Sequence, residues 1–404
     1  MVAWSVCAKR IALGGSRNWI LLLVVFVVYT TWRETFPDAH SLKTITFMAK
    51  MKPQGANRPS QSIGHPKIVQ DGYQKAILLS YMRGGTTFVG STFERNKDIF
   101  YVFEPEWSLI FQTMNEYQPL QNVDGTFQDP VWIHDADETV ERLIQNYLYC
   151  NISGIDVTSL RQRFMLEARY TKPLYDCVRM KRNKMANCVK NFTNVCTSKK
   201  FRFLKTVRLR VHAIEKLLTN DPSLRIIHMI RDPRGIAVSR QGWQEFYQAK
   251  MTFTFGRVCA EMLRDIESVE KLPPEVAKRV LPVLYEEVAE NPESMVEHLY
   301  KFVQMPYTGY VREYVKNVTH AAKDNTVGFS TQRANSAKTA YSWRAKISWK
   351  LSSEIDAICE RVYKKVGYLR AKSEQVLRNY NISLRDPHIS GSYVDKFRQF
   401  RIPP

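Results

Sequence analysis

The chain has 404 residues, 44% of them hydrophobic and 12% aromatic, so it can bury a large core and is neither disordered nor collagen-like. Its 59 Lys and Arg residues outnumber 39 Asp and Glu residues, which gives a formal net charge of +20. This excess predicts an anionic partner, which could be a nucleic acid, a membrane, a metabolite or a glycan.

One strongly apolar run, from Trp19 to Trp32, follows several basic residues near the N-terminus. As a helix it would span about 21 Å, which is short for a hydrocarbon core of about 30 Å. A cleavable signal peptide has a similar apolar stretch, but no clear small-x-small cleavage motif follows this one. We therefore favour a signal anchor at 19–32, with residues 1–18 in the cytoplasm and the rest of the chain in the lumen.

Two further features suit a lumenal chain. Four N-x-[ST] sequons mark candidate glycosylation sites at Asn151, Asn191, Asn317 and Asn381. Cys7 precedes the apolar run, and six cysteines follow it: Cys150, Cys177, Cys188, Cys196, Cys259 and Cys359. Six cysteines can pair completely, and zinc is the weaker interpretation because the chain has no C-x-x-C motif. The pairing itself cannot be derived from the sequence.

Residues 33–72 are rich in Pro, Lys, Gln, Ser and Gly and are predicted to form a stem. Strands and helices then alternate. The predicted strands are 76–80, 99–103, 203–207, 225–230 and 280–285, and the predicted helices are 86–94, 106–117, 137–149, 211–218 and one from 292. This alternation predicts an α/β fold of three layers, with a parallel sheet covered by helices on both faces. Residues 371–404 are polar and are predicted to be a tail that covers the surface.

Most of the excess charge lies in the segment 161–216, which carries 16 Lys and Arg residues but only 3 Asp and Glu residues. It could be an ordinary solvated face or a wall on which an anion docks.

The first chemical motif is Arg83-Gly84-Gly85-Thr86-Thr87, between a predicted strand and a predicted helix. The glycines permit close approach of the backbone, and the free N–H groups of a helix start can surround a tetrahedral anion. Arg83 adds a permanent charge and paired hydrogen-bond donors. The motif is not a Walker A loop, because the G-x-x-x-x-G-K-[ST] pattern is missing.

The second motif follows the predicted strand at 225–230 and runs from Arg231 to Arg240. Pro233 suits the first turn of a helix, and Ser239 lies about two helical turns beyond Arg231. These positions predict that Arg231 and Ser239 hold one phosphate together.

Together, R-G-G-T-T-F at 83–88 and I-H-M-I-R-D-P-R-G-I-A-V-S-R at 227–240 resemble the 5'-phosphosulfate loop and the 3'-phosphate motif of sulfotransferases. More narrowly, the two motifs resemble those of Golgi carbohydrate 6-O-sulfotransferases, which act on galactose, N-acetylglucosamine or N-acetylgalactosamine. This resemblance is carried by the motif residues themselves. It covers about 75–368 and implies a P-loop-like lumenal domain at 73–370. It also implies transfer of a sulfuryl group from 3'-phosphoadenosine 5'-phosphosulfate, without a metal, to a glycosaminoglycan or glycoprotein glycan.

The resemblance also implies site roles. The 5' side of the donor is held by Arg83, Gly84, Gly85, Thr86, Thr87 and Phe88, and the 3'-phosphate by Arg231 and Ser239. Tyr285 contacts adenine or belongs to the core, while Arg333 and Ser336 lie in a loop that closes over the nucleotide. Gly84 departs from the family, which often has Ser there, so we expect an altered rate or donor affinity.

Arg83 is predicted to stabilise the charge that develops on the leaving group, and Glu104 to be the general base. Alternatively, Glu104 caps the helix entered through Pro105, and Glu106 or His134 is the base.

Two rival functions stay open at this point. A tyrosylprotein sulfotransferase shares an R-x-G-T-T loop and a glutamate soon after it. A non-catalytic lumenal glycan-binding protein would be compatible with Gly84. The predicted lumenal topology disfavours nucleic acid, and the positive segment 161–216 favours an anionic glycosaminoglycan as the partner. A homodimer is possible.

Overall fold

The computed structural model describes residues 72–109, 120–128, 136–180, 184–241, 251–325, 329–386 and 393–394. The predicted cytoplasmic tail, the signal anchor, all but the last residue of the stem, and His134 lie outside these ranges. Within the described residues, we find no helix with the length and apolar character needed to span a membrane.

A parallel five-stranded sheet forms the centre of the described domain. The strands along the chain are β1 (Gln74–Leu79), β2 (Ile99–Phe103), β3 (Leu120–Gln121), β4 (Phe127–Gln128), β5 (Phe201–Thr206), β6 (Leu224–Ile230) and β7 (Val280–Leu284). The main sheet has the order β2-β5-β1-β6-β7, and β3 pairs with β4 in a separate antiparallel ribbon. In the centre of the sheet, Ile77 lies between Leu204 and Ile226. Each of the five strands predicted from the sequence is present.

The described helices connect and cover these strands. They are α1 (Thr86–Arg95), α2 (Ala136–Leu148), α3 (Val157–Arg161), α4 (Lys172–Arg179), α5 (Met185–Thr197), α6 (Glu215–Asn220), α7 (Pro233–Arg240), α8 (Met251–Lys271), α9 (Pro274–Ala277), α10 (Tyr285–Glu290), α11 (Pro292–Phe302), α12 (Gly309–Thr319), α13 (Ser336–Tyr341), α14 (Trp343–Lys346), α15 (Trp349–Ile358), α16 (Glu360–Val366) and α17 (Glu374–Arg378). The helix predicted at 211–218 is a 3-10 turn, Val211–Ile214, followed by α6. Most of the helix predicted at 106–117 lies outside the described residues.

The core lies on both faces of the sheet. Ile77 and Leu79 point into one apolar cluster, while Ala76 and Leu78 point into another, where Val89 of α1 packs. Side chains alternate between the faces of a strand, so a sheet covered on both sides needs strands that are apolar throughout. The predicted three-layer α/β architecture is therefore confirmed for the described domain.

Three disulfides connect the six cysteines of the domain. They are Cys150–Cys196, Cys177–Cys188 and Cys259–Cys359. The prediction of complete pairing is confirmed. The last bridge spans 100 residues and ties α8 to the junction of α15 and α16.

Residues 371–404 were predicted to cover the surface, but described residues of this segment also belong to the core. Leu377 and Tyr393 are both fully buried. The Tyr81 hydroxyl donates its proton to Asp265 over 2.9 Å. The Tyr81 oxygen must therefore accept the hydrogen bond that it shares with Nε2 of His228. The Nδ1 atom of His228 then accepts from the Tyr393 hydroxyl over 2.9 Å. Burial lowers the pKa of His228 to about 4, so the ring is neutral at physiological pH.

Candidate active site

A cavity of about 1090 Å³ lies where the five parallel strands end. Ligands of open α/β sheets bind at this edge. Eleven of the twelve residues predicted from the sequence line it: Arg83, Gly85, Thr86, Thr87, Phe88, Glu104, Arg231, Ser239, Tyr285, Arg333 and Ser336. The fold thus brings together residues that are up to 253 positions apart in the printed sequence.

The loop between β1 and α1 has the conformation that an anion site needs. Arg83 and Gly85 have φ angles of 71° and 91°, and the Gly84 N–H donates to the Tyr81 carbonyl over 2.7 Å. Among the described residues, no side chain caps α1 and no acidic residue lies in its first turn. The N–H groups and the positive dipole end of α1 are therefore available to an anion at the cavity.

Both glycines of this loop are required by close contacts. A β-carbon at Gly84 would lie 2.2 Å from Ser80 Oγ, and one at Gly85 would lie 2.2 Å from the Tyr285 ring. Gly84, the departure from the family pattern, thus has a local cause, because the Ser80 hydroxyl occupies the space that a side chain at 84 would need.

The two motifs are directly connected. Arg83 donates from Nε to the Ser239 hydroxyl over 2.8 Å, and Arg231 donates to the backbone carbonyl of Arg83 over 2.9 Å. The Arg231 guanidinium also lies 4.5 Å from the centre of the Tyr285 ring. Its Nε atom is buried and has no hydrogen-bond partner among the described residues. Such a donor is costly in a folded protein unless a ligand satisfies it.

The electrostatics of the cavity favour an anion. Burial, followed by the nearby charges of Arg231 and Arg333, lowers the pKa of Arg83 from its ordinary value. Around the cavity, eight basic residues (Arg83, Arg163, Lys205, Arg208, Arg231, Arg333, Lys338 and Lys346) oppose two acidic ones (Glu104 and Asp324). A bound anion would relieve this repulsion between like charges.

Glu104 directly follows β2 and lines this basic cavity. Its backbone has a positive φ angle of 41°. Its carboxylate makes ion pairs with Lys205 and Arg208. Burial by itself would raise the pKa of Glu104, but Lys205 and Arg208 outweigh burial and hold the pKa below its ordinary value. Glu104 is therefore ionised at neutral pH and can accept a proton.

The alternative base Glu106 lies in a different environment. It is fully buried, it is not part of the cavity lining, and it accepts a hydrogen bond from the Thr206 hydroxyl. Burial raises its pKa from the ordinary value. The geometry therefore favours Glu104 over Glu106 for contact with a substrate.

Residues 73–367 match the model of the sulfotransferase domain family. The chain belongs to the sulfotransferase family. Mouse carbohydrate sulfotransferase 1 is 26% identical over 352 residues, covering 76% of this chain and 82% of its own. Mouse carbohydrate sulfotransferase 4 is 26% identical over 361 residues, covering 78% and 87%.

Among solved structures, a sulfotransferase domain from the curacin biosynthetic pathway aligns with a TM-score of 0.39 and 12% identity, covering 71% of this chain and 96% of that one. The resemblance to carbohydrate sulfotransferases that the two motifs indicate is confirmed by the family match and the curated relatives.

The residues of this sulfotransferase fit its co-substrate, 3'-phosphoadenosine 5'-phosphosulfate. The uncapped start of α1 suits the 5' anion, and the buried Nε atom of Arg231 suits the 3'-phosphate. Arg333 donates to the Asn325 carbonyl, and Ser336 donates to the Ala289 carbonyl, so backbone contacts hold both at the cavity. In the described part of the chain, no group of three or more His, Cys, Asp or Glu residues is placed to hold a metal ion.

The sequence interpretation assigned no role to Lys205 or Arg208, although both line the sulfotransferase cavity. Lys205 lies in an apolar strand and is only 1% exposed. A lysine in an apolar strand is expected to be buried, and a buried lysine needs a charged partner. The position of Lys205 in the sequence could therefore have pointed to a buried ion pair. Arg202 and Arg210 are also buried: Arg202 donates to the Leu148 carbonyl, and Arg210 pairs with Asp265. Part of the positive segment 161–216 therefore stabilises the fold and cannot form a docking wall.

Proposed function

We propose that this protein transfers a sulfuryl group from 3'-phosphoadenosine 5'-phosphosulfate to the 6-hydroxyl of galactose, N-acetylglucosamine or N-acetylgalactosamine in a glycan. The observation that carries the proposal is the connection of Arg83 to Ser239 and Arg231 in one cavity that also exposes Glu104. The carbohydrate sulfotransferases among the relatives support a sugar as the acceptor.

The donor supplies an activated sulfuryl group when it is bound. Thr86 and Thr87 offer backbone and hydroxyl donors at the start of α1, and Arg83 neutralises charge on the bridging oxygen of the leaving group. Ser239 accepts a hydrogen bond from Arg83, which leaves the Ser239 hydroxyl proton free to reach the 3'-phosphate. Arg231 contributes its charge to the same phosphate.

Glu104 takes the proton of the sugar hydroxyl in this proposal. Lys205 and Arg208 fix the position of the carboxylate and keep it ionised. Their effect on its pKa weakens Glu104 as a base, but it guarantees the correct protonation state at neutral pH. Orientation of the acceptor hydroxyl is therefore the larger part of the contribution from Glu104.

We also propose that the protein is a single-pass type II protein of the Golgi membrane with its domain in the lumen. The three disulfides support an oxidising compartment. The asparagines of all four sequons are exposed, as glycosylation requires: Asn151, Asn191, Asn317 and Asn381. The signal anchor, the boundaries of stem and tail, and a homodimer belong to this proposal. The positive charge of the sequence favours an anionic glycosaminoglycan as the acceptor, whereas the glutamates that line a second cavity beside the first favour a glycan with uncharged units.

The deciding experiment is the transfer of ³⁵S-sulfate from labelled donor by the secreted lumenal domain. Acceptors would be desulfated chondroitin, keratan-type N-acetyllactosamine chains and an acidic tyrosine peptide. Label on C6 of a sugar supports the proposal, and label on the peptide alone indicates a tyrosylprotein sulfotransferase. Glycan binding without transfer would indicate a non-catalytic glycan-binding protein.

A further inference from the structure

A second, smaller cavity of about 380 Å³ adjoins the first one. Thr87 and Phe329 line both cavities, so the smaller one opens beside the phosphosulfate loop. Ser91 and Glu94 of α1 form one wall, and Tyr101 of β2 forms another. Its volume lies at the lower end of the range for small-ligand sites, about 300 to 1,000 Å³.

The Tyr101 hydroxyl is the most informative feature of this cavity. The side chain is only 3% exposed and lines the cavity, and its hydroxyl lies against α1, where a β-carbon at Gly90 would come within 2.5 Å of it. Burial raises the pKa of Tyr101 well above its ordinary value, and the carboxylates of Glu104, Glu94 and Glu167 raise it further. The hydroxyl therefore stays protonated and can donate a hydrogen bond to a ligand in the cavity.

The other groups of the small cavity suit a sugar. Glu94 and Glu167 supply carboxylate oxygens that accept hydrogen bonds from hydroxyl groups. Tyr314 and Phe329 add aromatic rings against which the apolar face of a sugar ring can pack. The charge of this lining differs from that of the first cavity. Among its described residues the only basic one is Arg95, which pairs with Glu94 over 3.5 Å.

We propose that the second cavity is a subsite for an uncharged sugar unit that neighbours the accepting sugar in the glycan. This inference rests on the proposed function, because it concerns the acceptor of that reaction. Glu167 disfavours a uronate or a sulfated sugar in the subsite through repulsion between like charges. The enzyme thus binds an anionic donor in one cavity and selects a neutral acceptor unit in the other.

The first test fills the cavity. Ser91 lines this cavity, and its hydroxyl donates to the Phe88 carbonyl of the same helix. Ser91→Phe therefore adds bulk inside the cavity, and Ser91→Ala is the matched control. Calorimetry with saturating adenosine 3',5'-bisphosphate measures binding of a neutral N-acetyllactosamine tetrasaccharide and of methyl β-galactoside. We expect Ser91→Phe to weaken tetrasaccharide binding about tenfold through lost subsite contacts, while methyl galactoside binding is unchanged. Equal tetrasaccharide binding by wild type and Ser91→Phe overturns the subsite.

The second test addresses charge. Wild type should bind the neutral tetrasaccharide more tightly than a desulfated chondroitin tetrasaccharide, which carries uronates. Glu167→Gln should narrow this preference, because it removes the exposed negative charge beside the subsite. Glu313→Gln, on the exposed side of α12 and outside the cavity lining, is the matched control and should leave the preference unchanged. A preference that Glu167→Gln does not change contradicts the charge selection.

These binding assays separate this inference from the proposed function. If Ser91→Phe weakens tetrasaccharide binding but no variant transfers sulfate, the proposed function fails and the subsite stands. If wild type transfers sulfate to sugars, yet Ser91→Phe has wild-type affinity and Michaelis constants for every acceptor, the subsite fails and the proposed function stands. Binding of adenosine 3',5'-bisphosphate by each variant confirms that the donor site is folded.

Discussion

The guanidinium of Arg83 donates to the hydroxyl of Ser239 over 2.8 Å, which joins the loop before α1 to helix α7 across 156 positions of the chain. Arg231 completes the connection by donating to the carbonyl of Arg83. The groups proposed for the 5' and 3' ends of the donor are therefore positioned by each other before the nucleotide binds. Such preorganisation reduces the entropy lost on binding.

We expect Arg231→Ala to weaken binding of adenosine 3',5'-bisphosphate about tenfold to a hundredfold, because charge-assisted hydrogen bonds are worth roughly 1.5 to 3 kcal/mol. Isothermal titration calorimetry measures this change. Arg257→Ala is the control, because the Arg257 side chain is 75% exposed and pairs with Glu261 on the same helix. An Arg231→Ala affinity equal to that of the control would remove Arg231 from the donor site.

Restoring the family serine at position 84 should harm this protein. In Gly84→Ser, the new β-carbon would lie 2.2 Å from Ser80 Oγ, so the loop must shift and donor affinity should fall. Ser80→Ala removes that oxygen and should recover part of the loss, although the Tyr81 carbonyl would still lie 2.8 Å away. Donor-product affinity of the two single variants and the double variant measures the coupling. Purely additive effects would contradict the steric explanation.

The pH dependence of transfer should reflect the ion pairs of Glu104. The wild-type pKa of Glu104 lies below the ordinary value of 4.5, so the carboxylate is protonated, and activity falls, only as the pH drops below that value. Lys205→Met removes one cation and leaves the effect of burial, so the acid limb of kcat/KM should move to higher pH. An acid limb that stays in place would show that Glu104 is not the titrating group.

Glu104→Gln tests the same residue without a change of pH. We expect loss of transfer but retained binding of adenosine 3',5'-bisphosphate, because the amide keeps the shape and loses the proton acceptor. Glu106→Gln should affect stability more than the chemistry, since Glu106 is fully buried outside the cavity lining. Turnover close to wild type in Glu104→Gln would contradict its role as the base.

The Cys259–Cys359 bridge should dominate the disulfide contribution to stability. Replacing both cysteines by alanine should lower the free energy of unfolding by about 2 to 5 kcal/mol, because the bridge closes a long loop. The same change at Cys177–Cys188 should cost less, since the separations are 100 and 11 residues. Urea unfolding monitored by circular dichroism compares the two variants. A larger loss for the short loop would contradict this ranking.

The sequence predicted the sheet well because its strands are apolar runs, and Arg83 and Arg231 each follow one of them. Contacts between residues far apart in the chain could not be predicted from these runs. The partners Glu104 and Lys205 are 101 residues apart, and the pattern of each strand says nothing about the other. A charge count likewise cannot separate buried Arg202 from the basic residues that line the cavity.

Tyr393 gives the C-terminus an unexpected importance. The family match ends at residue 367, and the predicted catalytic domain ends at 370, so a shortened protein for expression would end at one of these limits. Such a truncation would remove the Tyr393 hydroxyl that donates to His228 and would open a void beside its ring. His228 in turn holds Tyr81, the residue that leads into the phosphosulfate loop. Poor donor affinity in such a shortened protein would therefore result from the misplaced C-terminal boundary. It would not show that the full-length enzyme is inactive.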